Sequence, residues 1–207
     1  YFLQFHKNTK FLFIDKPLTL ESEQAKKIHD LAMSQGVYIR SHTPLVYSKE
    51  YTQAKKILTT EEQVSKVEIT GPLYCRDLQG DKRFLSVFFY GIHACEIFLS
   101  LADPDYDNFH YTIDKIEREN VVVRVVSKNI EFTFNLIDSI EEHYNININS
   151  SNEQLYSEDI ILDGSYYATE LNSILDTKSW KNQITDAFIV SLRSVEMLEE
   201  IESLLRD

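Results

Sequence analysis

The sequence predicts an α+β fold: an antiparallel β-meander of five or six strands, with an N-terminal helix and C-terminal helices packed on one side. Three observations carry this expectation. An apolar stripe at helical spacing runs through residues 20–35, alternating apolar runs succeed one another from about 67 to 137, and a second long helical stripe closes the chain. With 207 residues and 43% hydrophobic content, the chain is long enough to bury one sizeable core and is read as a single domain. Within it, 1–66 form a basic hairpin and helix part, 67–137 the meander, and 138–207 an acidic helical part.

The opening YFLQFHKNTKFLFID sets two apolar runs around a polar turn at Lys7 to Thr9, which reads as a hairpin or two short strands. Pro17 ends the second run. Thr19 then caps a helix that has Glu21 and Glu23 in its first turn, Ala25, Ile28, Leu31 and Ala32 on one face, and Gly36 as its stop. VYIRSHTPLVY reads as an extended segment broken at Pro44, and two modest helices are expected at 49–58 and 60–66.

From 67 the period becomes two, in the runs VEITGPLYCRD, RFLSVFFYG, IHACEIFLSL, FHYTIDKIE, NVVVRVVSK and IEFTFNLID. Polar hinges between the last three match the turns of a meander. The run 93–101 also suits a short helix, because periodicity does not separate the two for an apolar segment of that length. Beyond 137 a loop is expected at NININSSNEQ, a short strand at DIILD and a helix at 166–175. The final helix carries Ile184, Phe188, Leu192, Val195, Leu198, Ile201 and Leu205 on one stripe. That stripe is expected to cover the open face of the sheet, the alternative being a partner helix in a dimer.

Composition narrows the function classes. Five glycines and four prolines, against usual shares of about 7% and 5%, argue against phosphate cradles and low-complexity disorder. Two cysteines, Cys75 and Cys95, with no CxxC pair favour a reducing, cytoplasmic setting. RFLSVFFYGIHACEIFLSLA holds His93 and Glu96 near its middle and is interrupted by Gly91, so it reads as buried core and not as a membrane span. The first residue is Tyr1 and not Met, which leaves room for a preceding segment.

The net charge of −12 is unevenly spread: residues 1–60 hold nine Lys/Arg and five Asp/Glu, a net of +4, and the remainder hold twelve and 28, a net of −16. Between Lys128 and Lys178, 49 residues contain ten acids and no Lys or Arg. Such a one-sign field repels nucleic acid and steers a basic partner, with interspersed tyrosines supplying contact area. The leading expectation is therefore a non-enzymatic acidic binding domain, of immunity-protein or inhibitor character, without a cofactor. It would engage a basic protein partner through Glu141, Glu142, Tyr144, Glu153, Tyr156, Glu158, Asp159 and Asp163. Solubility alone is the competing account of the same acids.

Other candidates are weighed against simpler readings. Asp103, Asp105, Asp107, Asn108 and Asp114 fall at positions 1, 3, 5, 6 and 12 of a calcium-type loop. Asn at position 6, Asp at position 12 and the strand-like FHYTIDKIE that follows favour a strand-connecting turn over a Ca or Mg site. A metal-dependent hydrolase or phosphoesterase using Asp103, Asp105, Asp107 and His110 is the runner-up, and one domain of a larger assembly the third reading. His110-Tyr111-Thr112 matches half of a paired His-x-Thr pattern whose second copy is absent. Cys75 has no nucleophile signature, and His93 with Cys95 supplies only half a metal set; a core histidine is the simpler reading. Arg40 and His42, beside Tyr38 and Tyr47, are suited either to an anion or to the acidic half of the chain.

Overall fold

A computed structural model describes residues 10–75, 86–102, 110–117, 120–139 and 141–206. Strand β1 (Phe11–Phe13) is followed by helix α1 (Ser22–Gln35) and strand β2 (Tyr38–Arg40). β1 and β2 pair in parallel, Phe11 opposite Tyr38 and Phe13 opposite Arg40, with α1 as the crossover. Among the described residues β1 finds its partner 27 residues downstream, and the first run and turn of the expected hairpin, residues 1–9, lie outside the described residues. Parallel neighbours need a crossover, and α1 supplies it. The helix ends as its sequence implies, with Gly36 in the left-handed region at φ 64° and the Gly36 and Val37 N–H groups closing onto the Met33 and Ala32 carbonyls at 3.2 and 2.9 Å. Its buried Ala25 and Ala32 pack with Leu18, Val37, Ile39 and Phe188 in a small core of their own.

A short 3₁₀ turn at Pro44–Tyr47 leads into α2 (Lys49–Thr60), where the Ser48 hydroxyl accepts from the Tyr51 N–H at 3.1 Å as an N-cap. The second helix expected at 60–66 is absent, since β3 (Val64–Cys75) has begun by then. Next come α3 (Val87–Ala102), β4 (Thr112–Glu117), β5 (Asn120–Ser127), β6 (Ile130–Ser139), β7 (Asn145–Ser150), β8 (Gln154–Asp159), α4 (Ser165–Leu175) and α5 (Thr177–Arg206).

Strands β3 to β8 form one sheet in the order β4-β5-β6-β3-β7-β8. β3 and β6 run parallel at its centre and the other pairs are antiparallel. The expected all-antiparallel meander is therefore wrong in two places. The run RFLSVFFYG, expected as a strand, and IHACEIFLSL, read as a strand with a short helix at 93–101 as the alternative, contribute residues 87–101 to the single helix α3, and the chain returns from it to set β6 parallel to β3. The loop expected at NININSSNEQ is instead β7 and the start of β8, with Ile146 and Ile148 buried and the asparagines on the other side.

The main core lies between the sheet and its helices. α3 packs on β3 and β6 and is covered in turn by α5, so Ile92, Ala94, Cys95, Ile97, Phe98 and Leu99 are all fully buried. Gly71 permits the close approach of β3 to α3: a Cβ there would stand 2.4 Å from the Ala94 Cβ and 3.1 Å from the Tyr144 ring. On α5, Phe188, Val195, Leu198 and Ile201 are buried along the expected stripe, which closes on this chain's own core. Ile184 falls where side chains are not described. Among the described residues, no helix is long and apolar enough to cross a membrane.

Candidate functional site

Where the two-stranded unit meets the large sheet, a cavity of about 330 Å³ opens between the segment after β1, the turn after β2, the start of α3 and the start of α4. Asp15 and Lys16 enter it from the first, Pro44 and Leu45 from the second, Phe89, Tyr90 and His93 from the third, and Tyr166 and Tyr167 from the fourth. Glu142, just before β7, completes the lining. A second cavity of about 220 Å³, between α2, the end of α3 and the β5–β6 turn, is lined by Lys55, Thr59, Ser100, Ser127, Lys128 and apolar neighbours, and none of those side chains is a buried titratable group. The buried titratable groups lie around the first.

Three titratable groups around that cavity have pKa values moved from their ordinary ones. Lys16 donates from Nζ to the Phe89 carbonyl at 3.0 Å, and the same nitrogen lies 4.9 Å from the Phe89 ring centre. Burial lowers its pKa, opposed by the charges of Asp15, Glu142 and Glu96. Burial raises that of Glu142, opposed by a hydrogen bond from the Tyr144 hydroxyl at 3.0 Å and by Lys16. His93 is 6% exposed, and burial, then the charge of Lys16, holds its imidazole well below the usual histidine range.

Behind His93 lies a second layer of buried polar groups. Its Nδ1 is 2.6 Å from Thr43 Oγ1, which also accepts from the Leu45 N–H at 3.2 Å. One helical turn further along α3, the Glu96 carboxylate accepts from the Thr43 N–H and from the Ser191 hydroxyl, the latter at 2.8 Å. Burial pushes Glu96 up to about 7, against those two hydrogen bonds. Beside this layer, Arg40 Nη1 donates to Ser173 Oγ at 3.0 Å and Nη2 to the Tyr47 hydroxyl, which lies 3.1 Å from His42 Nε2. His42 Nδ1 is 3.6 Å from Glu170 Oε1. Burial, then Arg40, lowers His42 to about 4, while burial, then Asp15, raises Glu170 to about 7. Between those values both groups are neutral, so the contact is not an ion pair. Arg40 and His42 thus face one another's neighbours inside the protein and not a surface anion.

The residues singled out in the sequence are dispersed. Of the expected partner contacts, Glu141, Glu153, Glu158, Asp159 and Asp163 are exposed, but Asp159 already accepts from Asn145 Nδ2 at 2.8 Å and pairs with His143 Nε2 at 2.9 Å. Tyr156 is half-buried, donating to the Glu50 carbonyl at 3.0 Å, and Tyr144 is fully buried and out of reach of any partner. Glu142 alone of this set reaches the cavity. Asp103, Asp105 and Asp107 lie outside the described residues; Asp114 is exposed on β4 and pairs with Arg124 Nε at 3.0 Å, and His110 is exposed outside the cavity lining. Among the described residues, no three or more His, Cys, Asp or Glu side chains converge as a metal set. Cys95 is buried with its thiol pushed up by burial, which suits a core residue and not a nucleophile. Sequence reasoning missed Lys16, Thr43 and Glu96. The available signal was a histidine and a glutamate three apart inside an apolar run, where one turn of helix places both on one face.

No family model matches the chain, and no curated protein matches it in sequence. Solved structures do match in fold. GenD2 from gentamicin A biosynthesis, in complex with NAD, superposes with a TM-score of 0.66 at 12% identity over 94% of this chain and 70% of that one. The WlbA dehydrogenase from Thermus thermophilus, in complex with NAD and UDP-GlcNAcA, gives 0.66 at 14% over 90% and 63%. The UDP-N-acetylglucosamine 3-dehydrogenase GnnA from Acidithiobacillus ferrooxidans gives 0.63 at 11% over 91% and 68%. At 11–14% identity these matches establish the fold alone, which this chain shares with the NAD-complexed GenD2 and WlbA structures. This overturns the expectation of an immunity protein or inhibitor built on an antiparallel sheet. The expectation of a cofactor-free protein goes with it, since neighbours of this fold were solved with NAD.

Proposed function

We propose that this chain carries the substrate side of a dehydrogenase-type oxidoreductase site, and that the cavity around Lys16 and His93 takes an alcohol or the corresponding carbonyl compound. The observation that carries this reading is the meeting, in one recess, of a lysine and a glutamate each pushed toward neutrality and a histidine held neutral. Perturbed titratable groups gathered in a cleft are the usual mark of proton-transfer chemistry. Oxidising an alcohol requires removal of the hydroxyl proton as the carbon-bound hydride departs, so a group that is partly deprotonated at working pH must stand at the hydroxyl. Lys16 takes that role: its lowered pKa raises the fraction of free amine, and the Phe89 carbonyl aims it. His93 hydrogen-bonds the same oxygen. Glu142 is a second proton acceptor beside Lys16, and Tyr166 and Tyr167 give flat apolar area to a ligand ring.

The hydride acceptor would be a co-reactant held outside these residues, a nicotinamide dinucleotide of the kind bound in the solved GenD2 and WlbA structures. The residues present do not fit its pyrophosphate. The glycines stand at 36, 71, 80, 91 and 164, with no G-x-G-x-x-G spacing anywhere in the 207 residues. A cytoplasmic setting, drawn from the sparse cysteines, belongs to the same proposal.

The test is ligand binding followed by saturation-transfer NMR, with a panel of polyols and nucleotide sugars offered to the wild-type chain and to Lys16→Met. At least one ligand is expected to bind wild type and to lose about tenfold or more in affinity in the variant, the scale of one charged hydrogen bond. A panel without a binder, or a binder indifferent to Lys16→Met, would refute the assignment.

A further inference from the structure

Resting on the cavity assigned above, we propose that Thr43 is a positioning residue: its hydroxyl donates to His93 Nδ1 and fixes the imidazole as the Nε2–H tautomer, so that His93 offers a ligand oxygen a hydrogen-bond donor and not a base. The argument is an accounting of donors and acceptors. A threonine hydroxyl has one proton to give and two lone pairs to receive with. The Leu45 N–H, at 3.2 Å, occupies one lone pair of Thr43 Oγ1. His93 Nδ1, at 2.6 Å, is the other close partner.

If Nδ1 carried the proton, Oγ1 would receive two N–H donors and its own proton would need a third partner. Among the described contacts there is none: the nearby Glu96 carboxylate meets the Thr43 backbone N–H and the Ser191 hydroxyl, and no hydrogen bond joins it to Thr43 Oγ1. With the hydroxyl proton on Nδ1, every contact is used once. In a site where His93 is 6% exposed and Thr43 fully buried, an unspent hydroxyl proton has no water to turn to, and that decides the tautomer.

The same helix holds both ends of the bond. His93 and Glu96 stand one turn apart on α3, and while the first meets the Thr43 side chain, the second fixes its backbone. Thr43 cannot drift from the ring without breaking the buried bond to Glu96. The imidazole is kept neutral by burial and by Lys16, so Nδ1 stays an acceptor and Nε2 stays the donor. The His93 Nε2–H then donates to a ligand oxygen, an arrangement that polarises a carbonyl or stabilises an alkoxide. Proton removal falls to Lys16 and Glu142.

Long-range ¹H–¹⁵N correlation of the histidine side chains, on the full chain, reads the tautomer directly. His93 is assigned by the signals lost in His93→Gln. The expected wild-type spectrum has a protonated Nε2 and an unprotonated Nδ1. Thr43→Ser should keep that pattern, while Thr43→Val, similar in shape but without the hydroxyl, should give a mixture or the reverse. A wild-type His93 protonated at Nδ1, or a Thr43→Val spectrum identical to wild type, would overturn the proposal; if Thr43→Val does not fold, the wild-type and Thr43→Ser spectra decide. The readout needs no turnover, so the expected spectrum in a chain that binds none of the ligand panel would refute the oxidoreductase reading and leave the role of Thr43 standing.

Discussion

Gly71→Ala is the substitution whose consequence the geometry defines most sharply. The added Cβ would fall 2.4 Å from the Ala94 Cβ and 3.1 Å from Tyr144 Cδ1, whereas carbon atoms in contact rest at about 3.5–4.0 Å. Relief therefore requires α3 and β3 to part by about 1 Å or more, because both obstacles at that point are short or rigid groups. Overpacking of this kind costs about 1–3 kcal/mol, and at about 2–4 °C per kcal/mol for a chain of this size the melting temperature should fall by about 2–12 °C. Ala94→Gly removes the worse clash but carries a helix-interior glycine cost of about 1 kcal/mol. The double variant Gly71→Ala/Ala94→Gly should then be more stable than the sum of the two single losses predicts, by at least about 0.5 kcal/mol. Urea denaturation of the four proteins measures this coupling. Additive losses, or a Gly71→Ala protein as stable as wild type, would refute the claim that glycine is required where the strand meets the helix.

Other consequences follow from the same geometry. Glu96 has a folded pKa of about 7 against an ordinary value of 4.5, so its contribution is fully present below about 4.5 and is lost as pH rises through 7. Glu96→Gln should therefore gain stability relative to wild type across that window, by no more than about 3 kcal/mol, and denaturation at pH 5, 6, 7 and 8 should show a flatter profile for the variant. Glu170, raised to about 7 by burial and Asp15, should give the same sign in Glu170→Gln. Gly164→Ala, at the N-cap of α4 with φ 77°, should cost about 1 kcal/mol through backbone strain alone; a thermal melt unchanged from wild type would contradict this. His42→Gln should keep the fold but weaken acid destabilisation between pH 6.5 and 4, since in that window wild-type His42 charges in the unfolded chain while burial keeps it neutral in the folded one.

Much of the architecture was legible, and its failures have physical reasons. α1 could be read because an amphipathic helix with a glycine stop has a period and an end. α3 was open only as the alternative of a short helix at 93–101, because it is buried between the sheet and α5, and a helix that is apolar on every face has no stripe to detect. Its phenylalanines, isoleucines and tyrosine then count as strand formers, and the expected meander absorbed it. β7 failed for the opposite reason: the alternation of Ile146 and Ile148 is present, but asparagines between them resemble turn chemistry. The site was the least legible part. Lys16 and His93 are 77 residues apart without a shared motif, and only the crossover of β1 and β2 and the parallel return to β6 bring their segments to one cavity. His93 and Glu96 did stand out as polar residues in an apolar run. The inference drawn from them was that the run is not a membrane span, when a buried pair on one helical face also implies a polar partner waiting for it.

That partner explains why the cavity lies at this joint. Neither unit could build it alone: the two-stranded unit contributes Lys16 from the end of β1, and the large sheet contributes His93 through the helix it buries. The segment from Ser41 to Leu45 connects them, and it is held from both sides, by Glu96 at the Thr43 N–H and by the Ser191 hydroxyl, 2.5 Å from the Ser41 carbonyl. α5 supplies Ser191 to this cluster and Phe188 to the small core under α1, so one helix ties the βαβ unit to α3. Relative motion of the two units would therefore break buried hydrogen bonds before it opened the cavity. The proton transfer proposed for this cavity needs that order of events, because donor and acceptor must stay within a few tenths of an ångström while a ligand enters and leaves. Ser191→Ala, which removes a hydroxyl serving both Glu96 and Ser41, should loosen this joint first, seen as faster amide hydrogen exchange at Thr43 and Leu45 with the exchange of β5 and β6 unchanged. Uniform acceleration across the sheet would mean that Ser191 supports the whole core and that the joint has no separate role.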